Sequence, residues 1–450
     1  MNPEIFKAYD IRGVYPDTIN EEIVYKIGRA FTYFLKTKNI VVGSDMRISS
    51  PKLSKALMKG INEQGANAIF IGQVCTDAVY FSSGFLNKPG AMFTASHNPP
   101  QYNGIKLCRE NAIPINENTG IQAIRKIVEN EDYQKISPKK KLFGKVIRKD
   151  ILKDYVKHVR KFIDFKKLKK LKIGVDAGNG MAGKIIPLVY KGLPPKIVPL
   201  YFKLDGRFPN HLADPSKFEN LIRLQKTVKE KKCDFGMAFD GDADRIFFVD
   251  ENGNVVNGSL ISSLIVKNIL SKNKGAKIIY NVVCSKIVPE TIIKYGGTPI
   301  IERVGHSFIK ETMRQTKAVF ACEHSAHYYY IDNYRADSGI ITSLIVAEIV
   351  SKENKPLSKL LDEFRKYHTL EETNVEVKDK GAKLNEIESI YKKQNSKSIS
   401  RLDGVSIDFK DWHFNVRPSN TEPLLRLNLE ANSEELMKEK KEELIGIMEK

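Results

Sequence analysis

The chain has 450 residues, 42% of them hydrophobic, with 73 Lys and Arg against 54 Asp and Glu for a formal net charge of +19. That length implies several domains rather than one core. The apolar fraction excludes large-scale disorder, and no apolar run nears the ~20 residues that span a bilayer. The opening MNPEIFKAYDIRG lacks the basic-then-apolar pattern of a secretory signal. The five cysteines (Cys75, Cys108, Cys233, Cys284 and Cys322) are scattered and form no CxxC pair. This argues against a zinc knuckle or disulfide framework and suits a cytoplasmic location. The basic surplus suits nucleic acid, anionic lipid or phosphorylated metabolites. Its lysines are dispersed, as at 139–141 and 166–170, with no aromatic stacking platform among them. They read as solvated surface, and neither nucleic acid nor membrane is expected as a partner.

In chain order, residues 38–45 (KNIVVGSD) form a short β-rich run ending in a Gly turn. Ser49-Ser50-Pro51 offers an N-cap and a proline for the first turn of a helix running to about Gln64. Gly65 stops it, and 68–71 reads as the next strand, so the unit is strand–helix–strand, as in a parallel sheet. The stretch 93–100, FTASHNPP, follows. Read alone, Ser96 is either a nucleophile or a serine in a Pro-terminated turn beside a satisfied histidine. The basic stretch 136–149 separates this unit from a second, where KIGVD (172–176) is followed by Gly-rich 177–183 and an apolar helical run. The sequence 250–254, DENGN, predicts a hairpin turn at the start of a third unit, in which 277–280 (KIIY), a helical stretch and 299–301 repeat the rhythm. From about residue 367 the tail mixes short strands with a charged terminal helix over 433–450. The expected domains are 1–150, 151–251, 252–366 and 367–450: three similar mixed-sheet α/β domains plus a smaller C-terminal α+β domain around a central cleft.

Three more polar clusters carry chemistry. Asp240-Gly241-Asp242-Ala243-Asp244-Arg245 lies between apolar runs. Three alternating carboxylates repel unless a counter-ion joins them, and a hard divalent cation such as Mg²⁺ suits an all-oxygen set. An EF-hand is excluded, because no Glu stands at the twelfth loop position. In Cys322-Glu323-His324-Ser325-Ala326-His327, an extended segment puts Glu323, Ser325 and His327 on one face, fit to bind sugar hydroxyls. In Arg417-Pro418-Ser419-Asn420-Thr421-Glu422-Pro423, arginine offers a planar fork for phosphate, with short donors beside it.

Together these stretches resemble the α-D-phosphohexomutase superfamily, most closely its phosphomannomutase/phosphoglucomutase branch, over essentially the whole chain. The motifs TASHNPP, DGDADR, E-x-S-x-H and RPSNTEP occur in the family's order. They are joined by Tyr9-Asp10-Ile11-Arg12-Gly13, Tyr102-Asn103-Gly104-Ile105-Lys106, Phe208-Pro209-Asn210-His211 and Val304-Gly305-His306-Ser307. The resemblance implies reversible interconversion of hexose 1-phosphate and hexose 6-phosphate, with mannose or glucose as the sugar. The reaction would pass through a phosphoserine enzyme and a hexose 1,6-bisphosphate intermediate. Ser96 would be the phosphoserine and, with Asp240, Asp242 and Asp244, would hold one Mg²⁺. Arg12, His97, Lys106 and Arg245 would surround the transferring group. His306, Glu323, Ser325 and His327 would face the sugar, and Lys106, His97 and His327 are the candidates for proton transfer. Arg417, Ser419, Asn420 and Thr421 would grip the distal phosphate.

The sugar loop departs from the usual Gly-Glu-x-Ser-Gly-His, with Cys322 and Ala326 in place of glycine, which is expected to cost backbone freedom. A phosphoglucosamine mutase and a catalytically silent sugar-phosphate-binding protein are the rival readings. Monomer and homo-oligomer remain open alternatives.

Overall fold

The computed structural model describes residues 2–136, 138–370, 372–419 and 424–449. The first predicted unit forms: strands Asn39–Ser44 and Asn67–Gln73 run parallel, with Val41 opposite Ile69, joined by helix Ser50–Glu63. Pro51 occupies its first turn, where the missing N–H costs nothing. The expected Ser49 cap does not form. Ser49 has helical backbone angles, and its hydroxyl accepts from Asn103 Nδ2 at 2.8 Å, while the Ser50 hydroxyl donates to Asp45 at 2.8 Å.

The first sheet orders its strands as Ile11–Val14, Tyr102–Cys108, Gly90–Phe93, Asn39–Ser44, Asn67–Gln73 and Val146–Arg148. Its last strand comes from the basic stretch expected only as a boundary, and pairs parallel with Ala68 to Phe70. The second sheet runs Val255–Val256, Ile246–Asp250, Phe235–Phe239, Lys172–Asp176, Lys196–Leu200. Here the hairpin turn differs from expectation. The Asp250 carboxylate accepts the N–H groups of Asn252 and Asn254 at 3.0 and 2.9 Å, and the turn folds Val255–Val256 back onto the second sheet instead of opening the third. The third sheet runs Thr298–Glu302, Lys277–Asn281, Phe320–Cys322, Tyr328–Tyr330. All three sheets mix parallel and antiparallel pairs. The fourth is antiparallel, built around Trp412–Pro418 and Leu424–Ala431, with helices Lys380–Tyr391 and Glu434–Glu449 packed near it.

The cores explain how these units hold together. One apolar cluster runs from Val79 and Met92 through Ile173 and Met237 to Ile341 and Leu344, so the first three units share an interior. At their junction the buried Asp77 carboxylate accepts from Cys75 Sγ (2.8 Å), from the Tyr155 hydroxyl (2.6 Å) and from Ser338, the N-cap of helix Gly339–Glu353. Burial pushes its pKa up to about 6 despite those donors. The fourth unit has its own core around Ile387, Tyr391, Phe414 and Leu425. It meets the third through polar contacts: Lys286 N–H to Glu430 at 2.7 Å, Val304 N–H to Asp403 at 2.9 Å, and Lys286 Nζ to Asp408 at 3.0 Å. All five cysteines are buried free thiols. Among the described residues, no helix is long and apolar enough to cross a membrane.

Candidate active site

Loop ends from three sheets converge where the first three units meet. Strand Gly90–Phe93 delivers Ser96, and the neighbouring strand Tyr102–Cys108 carries Lys106. The turn between Phe235–Phe239 and Ile246–Asp250 delivers the three aspartates. Ser96 Oγ donates to Asp240 Oδ2 at 2.5 Å and lies 3.3 Å from His97 Nδ1. Residues 144 positions apart are thus in direct contact. Ser96 itself sits at φ +50°, in the left-handed region that costs a non-glycine residue of order 1 kcal/mol. Glycine is required across from it, because a Cβ on Gly241 would lie 2.5 Å from the Ser96 carbonyl oxygen.

Asp240, Asp242 and Asp244 each offer a carboxylate oxygen within 4.8 Å of the others, all buried. The cations balancing them are side chains. Lys106 Nζ donates to Asp242 (2.8 Å) and Asp244 (2.5 Å), and Arg245 Nε donates to Asp240 (3.0 Å). Thr76 gives Asp242 a further hydrogen bond at 2.5 Å. Burial and the two neighbouring carboxylates push Asp240 up to about 8, with Arg245 and Ser96 pulling the other way. Burial also opposes the Lys106 charge, yet Asp242 and Asp244 hold its pKa well above the usual lysine value. The His97 pKa is driven well below its usual value by burial and by Arg245 and Arg12, which keeps that ring neutral.

Several buried polar atoms at this site have no hydrogen-bond partner: on the donor side Arg12 Nε and Arg245 Nη2, on the acceptor side Asp242 Oδ1 and Asp244 Oδ1, with His306 Nε2 also unpaired. Such atoms are costly to leave unmet. Spare guanidinium donors suit an anion, and spare carboxylate oxygens suit a hard cation. On that ground the three aspartates fit a divalent metal.

Arg12 is held by Asp10 and donates to Asn98 Oδ1 at 2.5 Å, which ties it to the Ser96 loop. The third unit docks through a bridge pairing Arg245 with His327. His327 Nδ1 is 2.8 Å from Asp337 and 3.8 Å from Asp244, and these acids raise its pKa against the effect of burial. The Asp337 carboxylate also meets buried Lys310 at 2.7 Å, whose ammonium lies over the Tyr80 ring. His306 packs edge-on against Tyr9, with centroids 5.1 Å apart.

The loop 322–327 departs from the extended reading. Residues 323–326 form a turn, closed by Ala326 N–H to the Glu323 carbonyl at 3.1 Å. Glu323, Ser325 and His327 therefore do not share a strand face. The Glu323 carboxylate is buried and accepts from Asn281 (3.0 Å), Gly305 N–H (3.3 Å) and the Tyr329 hydroxyl. The two glycine replacements differ in consequence. Cys322 lies in strand Phe320–Cys322, where a Cβ is ordinary, whereas Ala326 takes φ +64°, which glycine would hold more cheaply.

In the fourth unit Arg417 does not stand open. It donates to Glu372 at 2.8 Å, and Arg426 meets the same carboxylate at 2.8 Å. Ser419 is buried beside it, while Asn420 and Thr421 lie outside the described residues. Arg47, Thr76, Asp337, Lys310 and Glu372 were not foreseen from sequence. One signal was readable: Lys310 stands one helical turn after His306.

The chain matches the phosphoglucomutase/phosphomannomutase α/β/α domain I over residues 3–135, domain II over 153–253, domain III over 257–367 and the C-terminal domain over 372–447. A Vibrio cholerae phosphomannomutase is 39% identical, covering 99% of this chain and 98% of that one. A Methanocaldococcus jannaschii phosphomannomutase is also 39% identical, covering 99% and 98%. The crystal structure of a Burkholderia thailandensis phosphoglucomutase/phosphomannomutase family protein superposes with a TM-score of 0.90 at 30% identity, covering 99% of this chain and 97% of that one. With all four domains matched in order, and a serine seated on three clustered aspartates, the chain belongs to the phosphoglucomutase/phosphomannomutase family.

Proposed function

We propose that this hexose phosphate mutase interconverts the 1- and 6-phosphates of mannose or glucose, with Ser96 carrying the phosphoryl group. The observation behind this reading is the 2.5 Å contact between Ser96 Oγ and Asp240, beside two further aspartates and Lys106. In the forward step the P–O bond to Ser96 breaks as a bond to a sugar hydroxyl oxygen forms. The hydroxyl's proton is delivered to the serine oxygen. His97, neutral and 3.3 Å from Ser96 Oγ, is placed to hold and return that proton at Nδ1. Arg12 and Arg245 surround the group in transit and offset charge on its oxygens. Asp240, Asp242 and Asp244 would hold Mg²⁺, with Ser96 Oγ or its phosphate completing the set. The ion supplies charge neutralisation for the phosphoryl oxygens.

His306, Ser325 and Glu323 are assigned to the sugar, Glu323 by ordering the Gly305 N–H and Asn281 that frame the loop. Arg417, with Ser419, Asn420 and Thr421, is assigned to the phosphate that does not react. A hexose 1,6-bisphosphate then serves as intermediate and as the donor that primes Ser96. Sugar phosphates are the partners this site suits.

The test is Ser96→Ala, assayed with mannose 1-phosphate and glucose 1-phosphate, with intact mass recorded after incubation with glucose 1,6-bisphosphate. Turnover is expected to fall by roughly 10⁴-fold or more, and the phosphoryl mass increment of the wild type should vanish. Wild-type turnover in this variant would refute the assignment.

A further inference from the structure

Arg47 is fully buried in the first unit. Its guanidinium is spent on one loop. Nη1 donates to the carbonyls of Pro99 (2.8 Å) and Tyr102 (2.9 Å), and Nη2 donates to those of Ser96 (2.9 Å) and Asn98 (2.6 Å). Nε faces Asp45 at 3.4 Å. A planar fork of this kind fixes four peptide planes at once, which a point charge cannot do. One of those planes is the peptide that follows Ser96. Because a trans peptide sets C=O and N–H on opposite sides, anchoring the Ser96 carbonyl on Arg47 also aims the His97 N–H away from Arg47. This matters because Ser96 sits at φ +50°, a conformation that persists only where its surroundings over-determine it.

The other half of the arrangement comes from the second unit. The Phe208 ring lies over the Arg47 guanidinium, with its centroid 5.2 Å from the guanidinium carbon, inside cation–π range. The loop bearing it closes directly on the arginine backbone, since a Cβ on Gly206 would fall 2.7 Å from Arg47 Cα. Phe208 is itself held at φ +52° and buried. Its loop is pinned at both sides: Asp205 N–H to the Asn179 carbonyl at 3.1 Å, Asn210 Nδ2 to Asn179 Oδ1 at 2.8 Å, and His211 Nε2 to Asp176 at 3.1 Å. The motif Phe208-Pro209-Asn210-His211 is thus spent on seating a ring over one buried arginine.

We propose that Arg47 and, across the domain boundary, Phe208 are positioning residues that hold the Ser96 loop in its reactive conformation. The inference rests on the reading of Ser96 as the phosphoryl carrier. Phe208 caps Arg47, Arg47 clamps four carbonyls, and those carbonyls set the direction of Ser96 Oγ. The second unit thereby contributes to alignment of the serine through a residue outside its metal loop.

Two variants test this. Arg47→Lys keeps the charge but loses the fork, and Phe208→Leu keeps apolar bulk but loses the ring face. The assay is glucose 1-phosphate turnover with kcat and KM separated, and enzyme concentration corrected for folded protein by circular dichroism. A displacement of about 1 Å at a reacting atom costs of order 100-fold, so Arg47→Lys is expected to lower kcat about 100-fold, with KM held within about threefold. Phe208→Leu should lower kcat about tenfold, again with KM held, because the clamp remains but its cap is gone. If Arg47→Lys does not fold, Phe208→Leu decides alone. A folded variant of either kind with kcat within threefold of wild type overturns the inference, as does a kcat loss matched by an equal rise in KM. Ser96→Ala separates the two claims. If it is inactive while both variants match wild type, only the positioning inference falls. If it turns over normally, the phosphoserine reading falls and takes this inference with it.

Discussion

Asp337→Asn removes one negative charge from a place where a buried lysine and a half-buried histidine depend on it. The carboxylate holds Lys310 at 2.7 Å and His327 at 2.8 Å, and both Asp337 and Lys310 are 1% exposed. Two charge-assisted hydrogen bonds at about 1.5–3 kcal/mol each agree with the about 3–5 kcal/mol lost when one partner of a buried ion pair is deleted. The lower end applies here. Burial already lowers the Lys310 pKa, so the stranded lysine can shed its proton. At about 3 kcal/mol, with about 2.1 cal/mol/K of unfolding entropy per residue over a cooperative block of roughly 370 residues, the melting temperature should fall by about 4 °C.

The pH dependence has a definite sign. Burial works against the His327 charge, but Asp244 and Asp337 raise its pKa above the ordinary histidine value. That contribution is fully present below about pH 6.5 and is lost as pH rises through the raised folded-state pKa. The gap between wild type and Asp337→Asn should therefore be widest near pH 5.5 and narrow toward pH 8.5, leaving the Lys310 part. Activity should fall as well, because the hydrogen bond from Nδ1 to Asp337 fixes the ring orientation. Thermal melts in metal-free buffer at three pH values, with a histidine titration followed by NMR, read all of this. A melting temperature within 2 °C of wild type at pH 5.5, with an unmoved His327 titration, would refute the reasoning.

Asp242→Asn removes the negative charge shared by Lys106 and Thr76; a Mg²⁺ titration of activity should show at least a roughly 100-fold loss at saturation, and an unchanged curve would detach the carboxylates from the metal. His211 has its pKa raised by Asp176 against burial, so its stabilising contribution is complete below about pH 6.5 and fades above the folded-state value. The stability difference between wild type and His211→Asn should shrink from pH 5.5 to 8.5, and a flat difference would contradict the ion pair. Asp403→Ala leaves the Val304 N–H without its acceptor across the boundary between the third and fourth units. At about 1–3 kcal/mol per lost bond, hydrogen exchange at Val304 should quicken roughly 5- to 150-fold, and unaltered protection would mean that contact is not made in solution.

Much of this site was legible because its chemistry is local in sequence. Three aspartates within five residues, between apolar strands, can be read from the string, and so can a serine in a Pro-terminated loop. The repeated strand–helix–strand rhythm likewise announced the three related units. What escaped notice depends on tertiary closure. Arg47 stands two residues after Asp45 in an ordinary-looking loop, and its importance lies in carbonyls fifty positions away. Asp337 follows a tyrosine-rich strand, and nothing local marks it as the counter-ion of Lys310. The loop 322–327 differs from its pattern for a related reason: alternation predicts a strand, but Ala326 at φ +64° and a buried Glu323 turn the chain instead. Hairpin 250–254 was recognised as a turn, yet only pairing shows which sheet receives its second arm.

The division of the interior has a practical corollary. One apolar cluster welds three units into a single block, while the last keeps a private core and meets its neighbour through carboxylates, backbone N–H groups and a lysine. A chimera exchanging everything after residue 367 with that of a relative would leave the serine, the aspartates and their clamps untouched. The block bearing that cluster and the fourth unit are, in this architecture, separately replaceable parts.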